Sequence, residues 1–170
     1  MPSLPHPVPA LLRAWHRLLR QESGNAIVEM AFCVSLLGIP ILFGTVDLGT
    51  MVYYSIEVSD AAHAGAMYGM ISSTFAASSS GIITAATNDA PDLDSLLAVT
   101  PTVFYACSES LAGTQYSAQS AATSACTGGS NHPLEFVKVV TSATVHPAIR
   151  CPGLPTSYTL VGTSVMEVEE

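Results

Sequence analysis

Gly24-Asn25-Ala26-Ile27-Val28-Glu29-Met30-Ala31-Phe32-Cys33-Val34-Ser35-Leu36-Leu37-Gly38-Ile39-Pro40-Ile41-Leu42-Phe43-Gly44-Thr45-Val46 decides the fold. Its one charge is Glu29, and from Met30 to Val46 there are 17 residues without any. As a helix rising ~1.5 Å per residue, that run spans about 25 Å, nearly the hydrocarbon core of a bilayer. Pro40 removes a backbone donor inside it and is expected to kink or loosen the helix. A transmembrane helix over about 26–46 follows. A cleaved secretory signal is the rival, but Val46-Asp47-Leu48-Gly49-Thr50-Met51 supplies no small-x-small cleavage pattern.

The flanks agree with an anchor. Charged residues make up 11% of the chain, against roughly 25% in ordinary soluble domains. The net charge of −8 is distributed unevenly. Arg13, Arg17 and Arg20 precede the apolar run, and only Lys138 and Arg150 follow it. By the positive-inside rule the N-terminus stays cytoplasmic and the residues beyond Asp47 are translocated. An acidic outer part repels phosphate, which argues against a nucleic-acid partner. Met1–Ala10, with four prolines, reads as a flexible leader; Leu11–Gln21 is basic and partly apolar, and suits either an interfacial helix or an unstructured tail.

Beyond Val46, Leu48, Val52, Ile56, Ser59, His63, Ala66 and Met70 recur at steps of three and four, the pattern of an amphipathic continuation of the helix. Gly65 and Gly69, four apart in an Ala-rich stretch, point to tight packing within the chain or a fraying helix end rather than to a dimer motif. Ser78-Ser79-Ser80-Gly81 reads as a break, and Ile82–Asn88 as a helical turn or two. The period then shifts towards two. Val99–Cys107, Phe136–Val145 and Tyr158–Val168, rich in Val, Thr, Phe and Tyr, read as strands, with a loop over Ala112–Asn131. The expected fold is α+β: a leader at 1–24, a long helix over 25–75, and a small antiparallel sheet in an extracytoplasmic domain over 76–170.

Glu29 is costly inside a membrane unless it is partnered or lies near the interface. Cleavage after Gly24 would create an α-amine on Asn25, protonated at neutral pH, and that amine and Glu29 can neutralise each other within a chain or between chains. Cys33 reads as a small buried hydrophobe within the apolar helix. Cys107, Cys126 and Cys151 lie on the oxidising side and allow three single bridges; Cys107–Cys126 is expected, worth about 3 kcal/mol in the chain-entropy model. Asp89, Asp92 and Asp94 lack the spacing of a calcium loop and read as a solvated turn. His63, His132 and His146 have no zinc-ligand spacing, and no G-x-S-x-G elbow or phosphate loop is present. No enzyme, cofactor or small-molecule substrate is expected.

A basic leader, a Gly, a Glu five residues on and then an apolar helix resemble type IV prepilins and pseudopilins. Gly24-Asn25-Ala26-Ile27-Val28-Glu29-Met30-Ala31 is similar to the G-x-x-x-V-E-F-A segment of TadE-like proteins, pilin-like minor components of the tight-adherence (Tad/Flp) pilus machinery. Phe43-Gly44, Asp47-Leu48-Gly49 and the Ala-rich Ala61–Gly69 extend the likeness, and Pro152-Gly153-Leu154-Pro155 with Thr159–Met166 has the family's β-rich ending. The chain departs from the pattern at Leu36, where the family usually has proline, and at His63 and Met67, where it usually has arginine. The resemblance implies cleavage by a prepilin peptidase between Gly24 and Asn25, with Glu29 aiding processing or assembly. It further implies partners among other pilin subunits and the assembly platform, in the bacterial inner membrane or a surface pilus. A bitopic membrane-anchored binding protein with no filament role is the alternative.

Overall fold

The computed structural model describes residues 22–108, 113–128, 131–147 and 155–169. The arginine leader, Arg150 and Cys151 lie outside the described residues. Two compact units divide between Val46 and Asp47.

The first unit is helical from Glu22. Helix α1 (Glu22–Cys33) passes into a π turn (Val34–Gly38) and then into α2 (Ile39–Gly69), so Gly24–Gly69 is one unbroken helix. The π turn ends two residues before Pro40, whose ring and missing N–H disturb the normal i→i−4 ladder there. The expected loosening takes this form. Thr45 Oγ1 donates back to the carbonyls of Ile41 and Leu42 (3.0 and 2.8 Å), so its hydroxyl is satisfied within an apolar surface. Large apolar side chains from Ile27 to Val46 are exposed on every side of the helix. Cys33, read as apolar packing, is exposed with them.

The second unit pairs the rest of α2 with a sheet. Its strands β1 (Leu97–Cys107), β2 (Pro133–Val145) and β3 (Tyr158–Glu167) run antiparallel in the order β1-β2-β3. Leu97 lies opposite Ala143 and Cys107 opposite Pro133; Val145 lies opposite Tyr158. Pro101 is tolerated because β1 is an edge strand, with one side free of ladder bonds. The alternating residues Val137, Val139, Thr141, Ala143 and Val145 of the central strand are all buried. The four apolar ones pack in two clusters with Val58, Ala61 and Ala66 of α2, Ile82, Ala86 and Ala90, and Leu93.

Of the expected stripe Ala66 is buried and Met70 half-buried, but the rest is exposed and the helix buries mainly a different face. Glu57, Val58, Ala61, Ala62, Gly65, Ala66 and Gly69 are buried, while Leu48, Val52, Ile56 and His63 are exposed. The reason is size. A β-carbon placed on Gly69 would fall 2.9 Å from Val137 Cγ2, and one on Gly65 would fall 3.3 Å from Ala86 Cβ, so only small residues let the backbones come this close. The reading of Gly65 and Gly69 as packing within the chain agrees. Thr141 Oγ1 donates to the Val58 carbonyl at 2.6 Å, tying the central strand to the middle of the helix. On β3, Gly162 meets the helix backbone: a β-carbon there would lie 2.5 Å from the Val58 carbonyl oxygen and 2.9 Å from Ser59 Cα.

Three details differ from expectation. Helix α2 stops at Gly69, and a separate turn, α3 (Ser73–Ala76), follows. The serines read as a break begin α4 (Ser79–Asp89), after Ser78 as N-cap. They are a helix start, although the Ser78 side chain makes no capping hydrogen bond. The stretch 112–131 contains α5 (Gln119–Ala125) and a bridge between Tyr116 and Tyr105, with N–H to O distances of 2.8 Å both ways, that extends the β1 edge. Buried Ala122 and the disulfide give that helix a reason to form where composition alone suggests a loop.

Candidate functional site

Gly24, Asn25 and Glu29 lie on α1 and are exposed. At four residues' separation Asn25 and Glu29 occupy neighbouring turns on one face, and a helical side chain leans towards the N-terminus. An amine created at Asn25 would therefore lie within one turn of the Glu29 carboxylate. A β-carbon on Gly24 would meet nothing within 4 Å. The fold of the chain does not require glycine at 24, so any need for it arises in an encounter with another molecule.

The helix around these residues is apolar on all faces, and its mean hydropathy reaches 2.3. Among the described residues it is the one helix long and apolar enough to cross a membrane. At 46 residues it has more than twice the roughly 20 residues that cross a hydrocarbon core.

Cys107 and Cys126 form a disulfide, Cα to Cα 5.4 Å, joining the end of β1 to the end of α5. This is the expected bridge.

The three aspartates read as one turn do different things. Asp92 accepts a hydrogen bond from the Tyr53 hydroxyl at 2.7 Å, and its backbone N–H donates to Glu57 Oε1 at 3.1 Å. Asp89 ends α4, and Asp94 begins a 3₁₀ turn with φ of 31°. No group of three potential metal ligands converges among the described residues. The hydrogen bond to Asp92, aided by the charges of Asp92 and Glu57, raises the Tyr53 phenol above its ordinary pKa. Tyr53, Ile56, Glu57, Asp60, Asp89 and Pro91 line an open cavity of about 350 Å³. Glu57 is only 8% exposed, and its Oε2 is buried with no hydrogen-bond partner. Sequence reasoning missed this group, because Glu57 and Asp92 are 35 residues apart and meet only through the fold. The available signal was an acid directly before Val58 on a helix whose next turns are Ala and Gly.

The family model described as TadE-like protein matches residues 24–67, which take in nearly all of the long helix, Glu29 included. That is the family the sequence resembles, and the match ends within α2, before the sheet. No curated protein and no solved structure matches the chain.

Proposed function

Taking the TadE-like match over residues 24–67 as premise, we propose that this chain is a structural, pilin-like minor subunit of a Tad-type pilus system. It is held in the bacterial inner membrane by one helix, with the leader cytoplasmic and the sheet outside. A prepilin peptidase cuts between Gly24 and Asn25, and the mature helix packs laterally against other pilin subunits and the assembly platform, in a role in pilus biogenesis and adhesion.

One observation carries the reading. The matched helix exposes large apolar side chains on every face, and its only charge before Asp47, after the proposed cut, is Glu29, one turn from Asn25. A helix apolar all round must be covered by lipid or by other helices. A carboxylate there is tolerated when a cation balances it, and a new α-amine supplies one. Asp47 and Glu57 lie further along, Glu57 at the start of the face that packs on the sheet.

Intact mass of the chain expressed with an active prepilin peptidase tests this. The expected product begins at Asn25, and a bulky residue at Gly24 blocks the cut without unfolding the chain, since space around Gly24 is open. A mature protein that keeps its arginines, or one that starts beyond Val46, ends the proposal. Glu29→Ala is expected to insert normally but to lose assembly. Unchanged assembly in that variant points instead to a plain bitopic anchor carrying a binding domain.

A further inference from the structure

The cavity beside Tyr53 holds an unmet electrostatic demand. A buried carboxylate oxygen without a donor is a costly arrangement, and natural structures rarely leave one unsatisfied. Here Glu57 is more than nine-tenths buried, Oε1 is taken by the Asp92 N–H, and Oε2 has no donor among the described residues. Asp60 and Asp89 stand exposed on the same cavity, so every charge that lines it is negative. Its remaining walls are the Tyr53 ring, Ile56 and Pro91.

We propose that this acidic notch receives an arginine side chain from a different, neighbouring protein subunit. A guanidinium matches the features present: a planar fork of donors for Glu57 and the exposed aspartates, and a flat face that stacks on an aromatic or apolar wall. A divalent metal matches them poorly, because hard cations need several oxygens converging within about 2.6 Å and no three ligands converge here. The notch also adjoins a surface that needs covering. Val52 and Ile56, 59% and 56% exposed, run along α2 up to its rim. The basic residue comes from another kind of chain because this one repels itself. After Gly24 the sequence has two basic residues, Lys138 and Arg150, against twelve acidic ones.

The neighbour rests on the subunit reading, but the notch can be tested on the isolated full chain. Failure here therefore leaves the processing result standing. The chain, labelled with ¹³Cζ-tyrosine and held in neutral detergent micelles at low salt, is titrated with N-acetyl-arginine methylamide, and the Tyr53 resonance is assigned by its loss in Tyr53→Phe. The expected result is a saturable shift of the Tyr53 signal, with affinity lowered about tenfold in Glu57→Gln, which keeps the acceptor for the Asp92 N–H. Asp89→Asn, on the exposed rim, lowers it less and serves if Glu57→Gln does not fold. No saturable shift, or an equal shift in both variants, overturns the proposal. So does calcium saturating the same signal at lower concentration, which would make the notch a metal site. A Tyr53 shift that grows with protein concentration and vanishes in Lys138→Gln or Arg150→Gln identifies a second copy as the occupant, and overturns the assignment to a different chain.

Discussion

Two lengths of one helix are put to opposite uses. Up to Val46 it carries Ile, Val, Leu, Met and Phe, and all of these are exposed. From Val58 to Gly69 the buried positions are Val, Ala and Gly, while the larger Met67 stays outside. Hydrophobicity alone would have put the core in the first length. Side-chain size decides instead: small residues mark where this helix meets its own sheet, and large ones mark where it meets something else.

The sharpest way to break that contrast is to truncate one large apolar residue in each region. Ile82→Ala, at a fully buried site in contact with the Gly65–Gly69 face, is expected to destabilise the outer unit by about 2–5 kcal/mol. Leu36→Ala, fully apolar but exposed, should change it by no more than about 0.5 kcal/mol. Thermal unfolding of the full chain in micelles, followed by circular dichroism, measures both; equal losses would contradict the division. Removing the bridge with Cys107→Ser and Cys126→Ser should cost about 3 kcal/mol in the same assay, and addition of a reductant to the parent chain should match it. Gly162→Ala comes next, at about 1–3 kcal/mol, since the new methyl meets helix backbone rather than a side chain that can turn away. An unchanged midpoint for Gly162→Ala would mean that the helix does not lie so close to β3.

The smallest effect concerns pH. The Tyr53 phenol has its pKa raised in the folded chain, mainly by its hydrogen bond to Asp92. Its contribution to stability is therefore fully present below the ordinary tyrosine value near 10, and is lost as pH rises through the higher folded value. Tyr53→Phe should lower stability slightly at neutral pH and flatten the alkaline fall, so that variant and parent converge once the phenol has ionised. A steeper fall in the variant would contradict the sign.

Much of this was legible in the sequence. The anchor helix, the three strands and the Cys107–Cys126 bridge follow from an uncharged run, period-two patterning and cysteine placement. Their signals are local or, for the bridge, a choice among three pairings. The buried face of α2 was not legible, because periodicity gave Leu48, Val52 and Ile56 a stripe of their own, and only the packing of Val137 and Gly162 selects the other side. The short helix at Gln119–Ala125 was hidden by a composition of Ala, Ser and Thr that suits loops equally well. The Tyr53–Asp92–Glu57 group joins two residues of one helix to a turn far along the chain, a link that no window of sequence contains.

Thr141 and Gly162 fasten the middle of the helix, at Val58 and Ser59, to two neighbouring strands. Tension applied along the helix would thus enter the sheet at this clasp, as sliding between layers, before it reached the connecting loops. One hydroxyl contact and the closeness of one glycine would then add to the buried clusters in resisting such a pull, and loosening either should make the outer unit yield at lower force.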